Sequence, residues 1–277
     1  MNRQEAVEIT ERSLKELNEA LKNGKSDVMQ AYLKSLAVFP RYSYRNIFLI
    51  QAQMPLATRI AGFTQWKKLG RWVKSGEKGI GIIAPLATRA RSTNESDDDK
   101  IFGFRLVHVF DISQTDGETL PGISQPWGNP LGNLDVLEKV YSKLGIYLES
   151  TMLPDGFFGR SLGGQVTISA KLEPASRFQT LAHELAHELM HSSKAKLAER
   201  PSKSIRELEA EAIAYVVCVV NGVECRDASC DYIQMYDGNE TLLAASLERI
   251  RGTAVEILDF MDSERNSSIS SEVNHAA

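Results

Sequence analysis

Apolar residues along this chain recur at helical spacing in some stretches and in short strand-like runs in others. Ile9, Leu14, Leu17 and Leu21 predict an amphipathic helix over about residues 5–23. Further helices are expected over 27–37, 45–53 and 63–69, then strands near 80–84 and 101–111. After a stretch rich in Pro, Gly and Asn at 121–132, the pattern predicts a helix over 134–144 and short strands through 169. Helices over 176–198, 205–221 and 240–262 complete it. We therefore expect an α+β chain of two domains, 1–120 and 133–262, with 121–132 as the linker. Residues 91–100, which include Asp97, Asp98 and Asp99, read as a flexible acidic hairpin loop, and 263–277 as a disordered tail. With 43% apolar residues in 277, the chain can fill two modest cores.

The helix expected at 176–198 has two unlike faces. Phe178, Leu181, Leu185 and Leu189 gather on one side, and His183, His187 and His191 project from the other. Pro174 precedes it, and Ser176 with Gln179 has the spacing of a capping box. In His183-Glu184-Leu185-Ala186-His187 the histidines are four apart, so both imidazoles can reach one metal ion. Glu184 then stands where it can take a proton from water beside that ion and deliver one to a leaving amine. A chance pair of surface histidines is the bland alternative. His191 lies two turns from His183, about 12 Å along the axis, and cannot share the ion.

A third ligand must come from elsewhere, and the helical stretch 205–215 offers one. Glu207 and Glu211 share a face with Ala210, Ala214 and Cys218, whereas Glu209 points away beside Ile213 and Val216. The alanines leave room for a second helix to approach. We take Glu207 as the third ligand and Glu211 as a carboxylate orienting an imidazole through its free N–H, with the reverse assignment left open. Ser204 and Glu207 also have capping-box spacing, which would give Glu207 a purely structural role.

These two blocks, the His183–His187 motif and Glu207-x-x-Ala210-Glu211-x-x-Ala214, resemble the zincin-like peptidase domain of the ImmA/IrrE group and the catalytic half of ArdC-type antirestriction proteins. The resemblance implies zinc held by His183, His187 and Glu207, with Glu184 as the base. Glu211 departs from the Asn or Asp usual there in ImmA/IrrE proteins. Upstream, 164–169 reads as a short strand, expected at a sheet edge where an extended peptide can pair with it.

Charge separates the amino-terminal part from the rest. Between Arg41 and Arg91 ten Lys or Arg face one acid, Glu77, a net of +9 in a chain of −4, so the remainder carries −13. Such a local field attracts phosphate backbones whatever the total charge. Tyr42, Tyr44, Phe48, Phe63, Trp66 and Trp72 are interleaved with these cations, and bases can stack on rings of this kind. The opposing reading is a solvated basic face over an aromatic core, to which Phe48 and Trp66 are expected to belong.

Four blocks here, Arg41–Asn46, Phe63–Gly70, Val73–Gly79 and Val109–Gly117, are similar to successive segments of the ArdC amino-terminal domain. That resemblance implies single-stranded DNA binding, for which Arg45, Lys67, Lys68, Arg71, Lys74 and Lys78 are the candidate contacts.

Cys218, Cys225 and Cys230 are an odd number without zinc-ribbon spacing, so no disulfide framework is expected, and Cys218 reads as packing. With no signal peptide or long apolar run, we expect a soluble cytoplasmic protein without membrane contact. The reading is a zinc metallopeptidase acting on a peptide or protein, tethered to a single-strand-binding module, in an antirestriction role on a mobile element. Two alternatives are a non-proteolytic DNA binder with a structural or regulatory zinc, and an ImmA-like protease that cleaves a repressor.

Overall fold

A computed structural model describes residues 1–23, 27–88, 100–118, 130–154, 156–191, 201–223 and 239–275. The elements run α1 (Arg3–Lys22), α2 (Asp27–Val38), α3 (Tyr44–Gln53), β1 (Ile60–Gly62), α4 (Phe63–Lys68), β2 (Arg71–Val73), β3 (Ile80–Thr88) and β4 (Lys100–Asp111). A 3₁₀ turn (Ile112–Gln114) leads to β5 (Thr115–Gly117). Then come α5 (Pro130–Lys143), β6 (Tyr147–Thr151), β7 (Gly159–Ser161), β8 (Gln165–Ser169), α6 (Pro174–His191), α7 (Lys203–Val220) and α8 (Glu240–His275). The fold is α+β. It divides into two units, Met1–Glu16 with Tyr44–Ile123 and Leu17–Ser43 with Ser124–Ala277. Residues 17–43 therefore group with the second unit, whereas the sequence pattern assigned all of 1–120 to the first. The expected linker lies largely outside the described residues, as does the acidic loop.

In the first unit β1, β4 and β3 form an antiparallel sheet in that order, and β2 pairs with β5. α3 packs on β3 and covers its open edge with side-chain amides. Asn46 donates to the Ile83 carbonyl and accepts from the Ile83 N–H, both at 2.8 Å. Gln53 does the same for Gly81, at 2.9 Å in each direction. Two carboxamides thus stand in for a missing strand and blunt an edge that would otherwise recruit another chain. At the far end of β4, the buried Asp111 carboxylate accepts from the backbone N–H of Thr58, Arg59 and Ser113, at 2.8, 2.9 and 3.0 Å. Its own N–H donates to Gln114 Oε1, completing a capping box on the 3₁₀ turn. Trp66 is fully buried, and its indole N–H donates to the Phe110 carbonyl at 2.8 Å. Phe48 is buried as well.

The second unit is a helical layer on a three-stranded sheet ordered β6-β8-β7, with β6 parallel and β7 antiparallel to β8. The strand expected at a sheet edge, 165–169, is therefore the central one. It reads as near-continuous burial, with Val166 and Ile168 fully enclosed, because both neighbours and the helices cover it. The core of this unit also buries Tyr141 of α5, Phe178, Leu181 and Leu185 of α6, Ile213 and Val217 of α7, and Leu247 and Ile257 of α8. The Tyr141 hydroxyl donates to the Leu181 carbonyl at 2.6 Å, satisfying the polar end of a buried ring.

Two helix boundaries differ from expectation. α6 begins at Pro174, whose missing N–H costs nothing in the first turn, so Ser176 lies inside the helix and does not cap it. α8 continues to His275, through residues expected to be disordered. Long-range contacts anchor the start of that extension, at residues 263–265. Lys143 reaches Ser263 and Glu264 at 2.9 Å each, and the Arg265 guanidinium donates to Asn133, Asn221 and Asp262. Among the described residues no helix is long and apolar enough to cross a membrane.

Candidate functional site

α6 and α7 pack side by side, and their facing surfaces bring the sequence-singled residues together. His183 and His187, one turn apart, place their Nε2 atoms 3.1 Å from each other. Glu207 Oε2 lies 3.6 Å from His183 Nε2 and 3.4 Å from His187 Nε2. Ligand atoms of the three side chains all fall within 4.8 Å of one another. Donors placed tetrahedrally about 2.0–2.1 Å from a zinc ion sit about 3.3–3.4 Å apart, so this donor set fits a divalent ion. The capping role for Glu207 does not hold: α7 is capped by Ser202, which accepts from the Ile205 N–H at 3.3 Å.

Glu211 stands behind His183, its Oε2 3.3 Å from Nδ1, and so fixes which imidazole nitrogen faces Glu207. Gln179 in turn donates to Glu211 Oε1 at 3.2 Å. Glu184 is buried beside the pair, and that burial pushes its carboxyl up to about 7. The Glu207 carboxyl is held down at about 2, chiefly by its hydrogen bond to His183. Burial opposes a charge on His183, but Glu207 and Glu211 outweigh it and raise the imidazole to about 9. Burial and the neighbouring His183 charge lower His187. The side chain of His191 lies outside the described residues.

The cleft in front of these groups encloses about 410 Å³. Phe157 and Phe158 line one side and Leu172 another, with Thr180, His183 and Glu184 at the base. β7 is the sheet edge facing it. The strand comes so close to α6 that a Cβ at Gly159 would lie 2.7 Å from Glu184 Oε1 and equally near Thr180 Cγ2. The Ser161 backbone N–H donates to the Glu184 carboxylate.

Sequence reasoning missed two carboxylates. Glu188 accepts from the Gly163 and Gly164 N–H groups at 2.9 and 2.7 Å and from the Ser161 hydroxyl, tying the β7–β8 turn to α6. Glu209 is fully buried and takes Arg249 and Ser246 from α8. A polar residue at an otherwise apolar helix position was the available sign in each case.

The basic residues of the first unit have unequal freedom. Lys67, Lys68 and Lys78 are exposed. Arg45 lies over the Tyr44 ring, 5.8 Å from its centre. Arg71 is committed to the fold: its guanidinium donates to Thr115 Oγ1 at 2.8 Å and to the Thr115, Gly117 and Glu118 carbonyls. Lys74 Nζ donates to the Ser113 carbonyl at 2.9 Å, with Asp116 3.9 Å away. Arg71, and in large part Lys74, thus hold β5 in place, which weakens their case as nucleic-acid contacts.

Two helices that offer paired imidazoles and a carboxylate beside a sheet-edge cleft define a metallopeptidase-like domain of the zincin type. Family comparison agrees. Residues 145–221 match the IrrE N-terminal-like domain of Peptidase_M78, and residues 3–110 match the N-terminal domain of anti-restriction factor ArdC. The chain therefore matches an ArdcN domain followed by an IrrE-like peptidase domain. Its fold is similar to that of the antirestriction ArdC protein of plasmid R388. The Mn(II)-bound structure of that protein gives a TM-score of 0.57 at 18% identity, covering 92% of this chain and 97% of that one. The metal-free structure gives 0.52 at 19%, covering 82% and 86%. An uncharacterized Bacillus anthracis protein, pXO2-81, is 27% identical over 94% of this chain. The chain spans about half the length of that curated relative, 52%.

Proposed function

We propose that the protein is a zinc-dependent endopeptidase tethered to a single-strand-DNA-binding domain, with an antirestriction role on a mobile element. The observation that carries the peptidase half is the convergence of His183, His187 and Glu207 donor atoms next to a buried Glu184. A divalent ion bound there would supply Lewis acidity toward a scissile carbonyl and make water beside it more acidic. Glu184, with a carboxyl near neutrality in affinity for protons, accepts a proton from the attacking water and returns it to the leaving amine. Glu211 holds the His183 ring, and Gln179 holds Glu211. The open edge of β7 offers backbone groups to an extended peptide, and Phe157 and Phe158 offer it an apolar wall. Mn(II) in the R388 protein supports a resident divalent ion, with zinc favoured here by the imidazole pair. The ArdcN match and the exposed Lys67, Lys68 and Lys78 support the nucleic-acid half.

Digestion of a peptide library, read by mass spectrometry, tests the reading. Glu184→Gln is expected to keep its metal and lose about 10²–10⁴-fold in cleavage rate. Undiminished cleavage by that variant rejects the mechanism. Protection of unmodified plasmid DNA entering a restricting host, compared between wild type and Glu184→Gln, then tells whether proteolysis serves the antirestriction role.

A further inference from the structure

The first unit buries some of its aromatic rings and displays others. Phe48 and Trp66 are 4% and 0% exposed, whereas Phe63 and Trp72 are 57% and 59% exposed. Phe104 of β4 is displayed too, at 52%, but Phe63 and Trp72 lie on α4 and β2, which pack together. Phe63 and Lys67 are one turn apart on α4, which puts them side by side with Lys68 adjoining. Trp72 is the exposed residue of β2, between the half-buried Arg71 and Val73, while the following Lys74 is engaged by the Ser113 carbonyl. α4 packs against β2, so both rings belong to one small substructure, turned at Gly70 with φ 69°. A lone exposed ring is ordinary. Two exposed rings on adjoining elements, with the exposed Lys67 and Lys68 on one of them, match what a single strand presents: flat bases alternating with phosphates.

Resting on the single-strand reading above, we infer that Phe63 and Trp72 are the stacking platform for unpaired bases, with Lys67 and Lys68 tracking the backbone. This gives the unit its preference for single over double strands, because a paired base has no free face to offer. It also makes recognition tolerant of sequence, since every base has a π-face.

Equilibrium binding of the full chain to a labelled oligo-dT, across a salt series, tests the inference. Phe63→Ala and Trp72→Ala should each weaken binding by about 5- to 100-fold with the salt slope unchanged. Lys67→Ala and Lys68→Ala should each reduce the slope by about 0.7. Trp72→Phe should retain most of the affinity while removing the fluorescence quenching that oligo-dT causes in the wild type. Circular dichroism of each variant confirms that the fold is kept. Wild-type affinity in both alanine variants, with the wild type binding well, overturns the platform and leaves the single-strand reading standing. No binding by the wild type overturns both.

Discussion

His183 Nδ1 lies 3.3 Å from the Glu211 carboxylate, so α7 decides which nitrogen of the α6 imidazole is turned toward Glu207. A carboxylate in that position fixes ring orientation and raises the basicity of the ligating nitrogen. Glu211→Gln, which can still accept a hydrogen bond but carries no charge, is expected to keep the ion and weaken its affinity about 10- to 100-fold. Competition with a chelator of known affinity measures this. Complete loss of the ion would make Glu211 a ligand itself.

Gly159 is where β7 approaches Glu184 most closely. A methyl group there would lie 2.7 Å from Glu184 Oε1, and on the other contact it meets a branched Thr180 side chain. Gly159→Ala should therefore displace the base without touching the metal donors. We expect metal content to stay at the wild-type level and cleavage to fall by about 10- to 100-fold, as for an ångström-scale misplacement of a catalytic group. Loss of metal in this variant would show that the strand supports the donors as well.

The carboxamides of Asn46 and Gln53 close the β3 edge, so removing one should cost stability and solubility together. Asn46→Leu leaves the Ile83 N–H and carbonyl without their partner. The expected loss is about 1–3 kcal/mol, seen in urea denaturation, with self-association visible by light scattering. A fully stable, monodisperse variant would remove the amides from the account of this sheet.

Asp111 makes the first unit sensitive to acid. Burial opposes its ionisation, but hydrogen bonds from Ser113, Arg59 and Thr58 prevail and hold its carboxyl below the ordinary 3.8. A folded-state pKa below the unfolded one means the stabilisation is complete above the unfolded value. It fades as pH falls through the folded value. Denaturation midpoints taken from neutral pH to well below 3.8 should run parallel above that value, and below it should drop in the wild type more steeply than in Asp111→Asn. The variant should be less stable at neutral pH. Curves parallel throughout would contradict the assignment.

Much of the site was legible because its geometry is local or repeats within single helices. The four-residue histidine spacing and the Glu207–Glu211 spacing put the groups that converge on one face of each helix, with alanines beside them on α7. What sequence could not supply was the long-range pairing. Strand 165–169 was assigned to an edge because nothing in five residues states how many neighbours a strand has. That Arg71, a candidate contact, also bonds β5 was not legible because its acceptors sit on that strand and just past it. Residues 263–277 read as a disordered tail, yet α8 runs to His275, and Lys143 and Asn133 of α5 and Asn221 reach Glu264 and Arg265 at its start.

The claim on which the enzymatic account depends is that His183, His187 and Glu207 share one divalent ion. Elemental analysis of the purified protein, after equilibration with zinc and desalting, measures this directly, with Glu207→Gln alongside. The account predicts one ion per chain in the wild type and a marked loss in Glu207→Gln. A wild type that retains no ion, or a Glu207→Gln protein that holds it as firmly as the wild type, would contradict it.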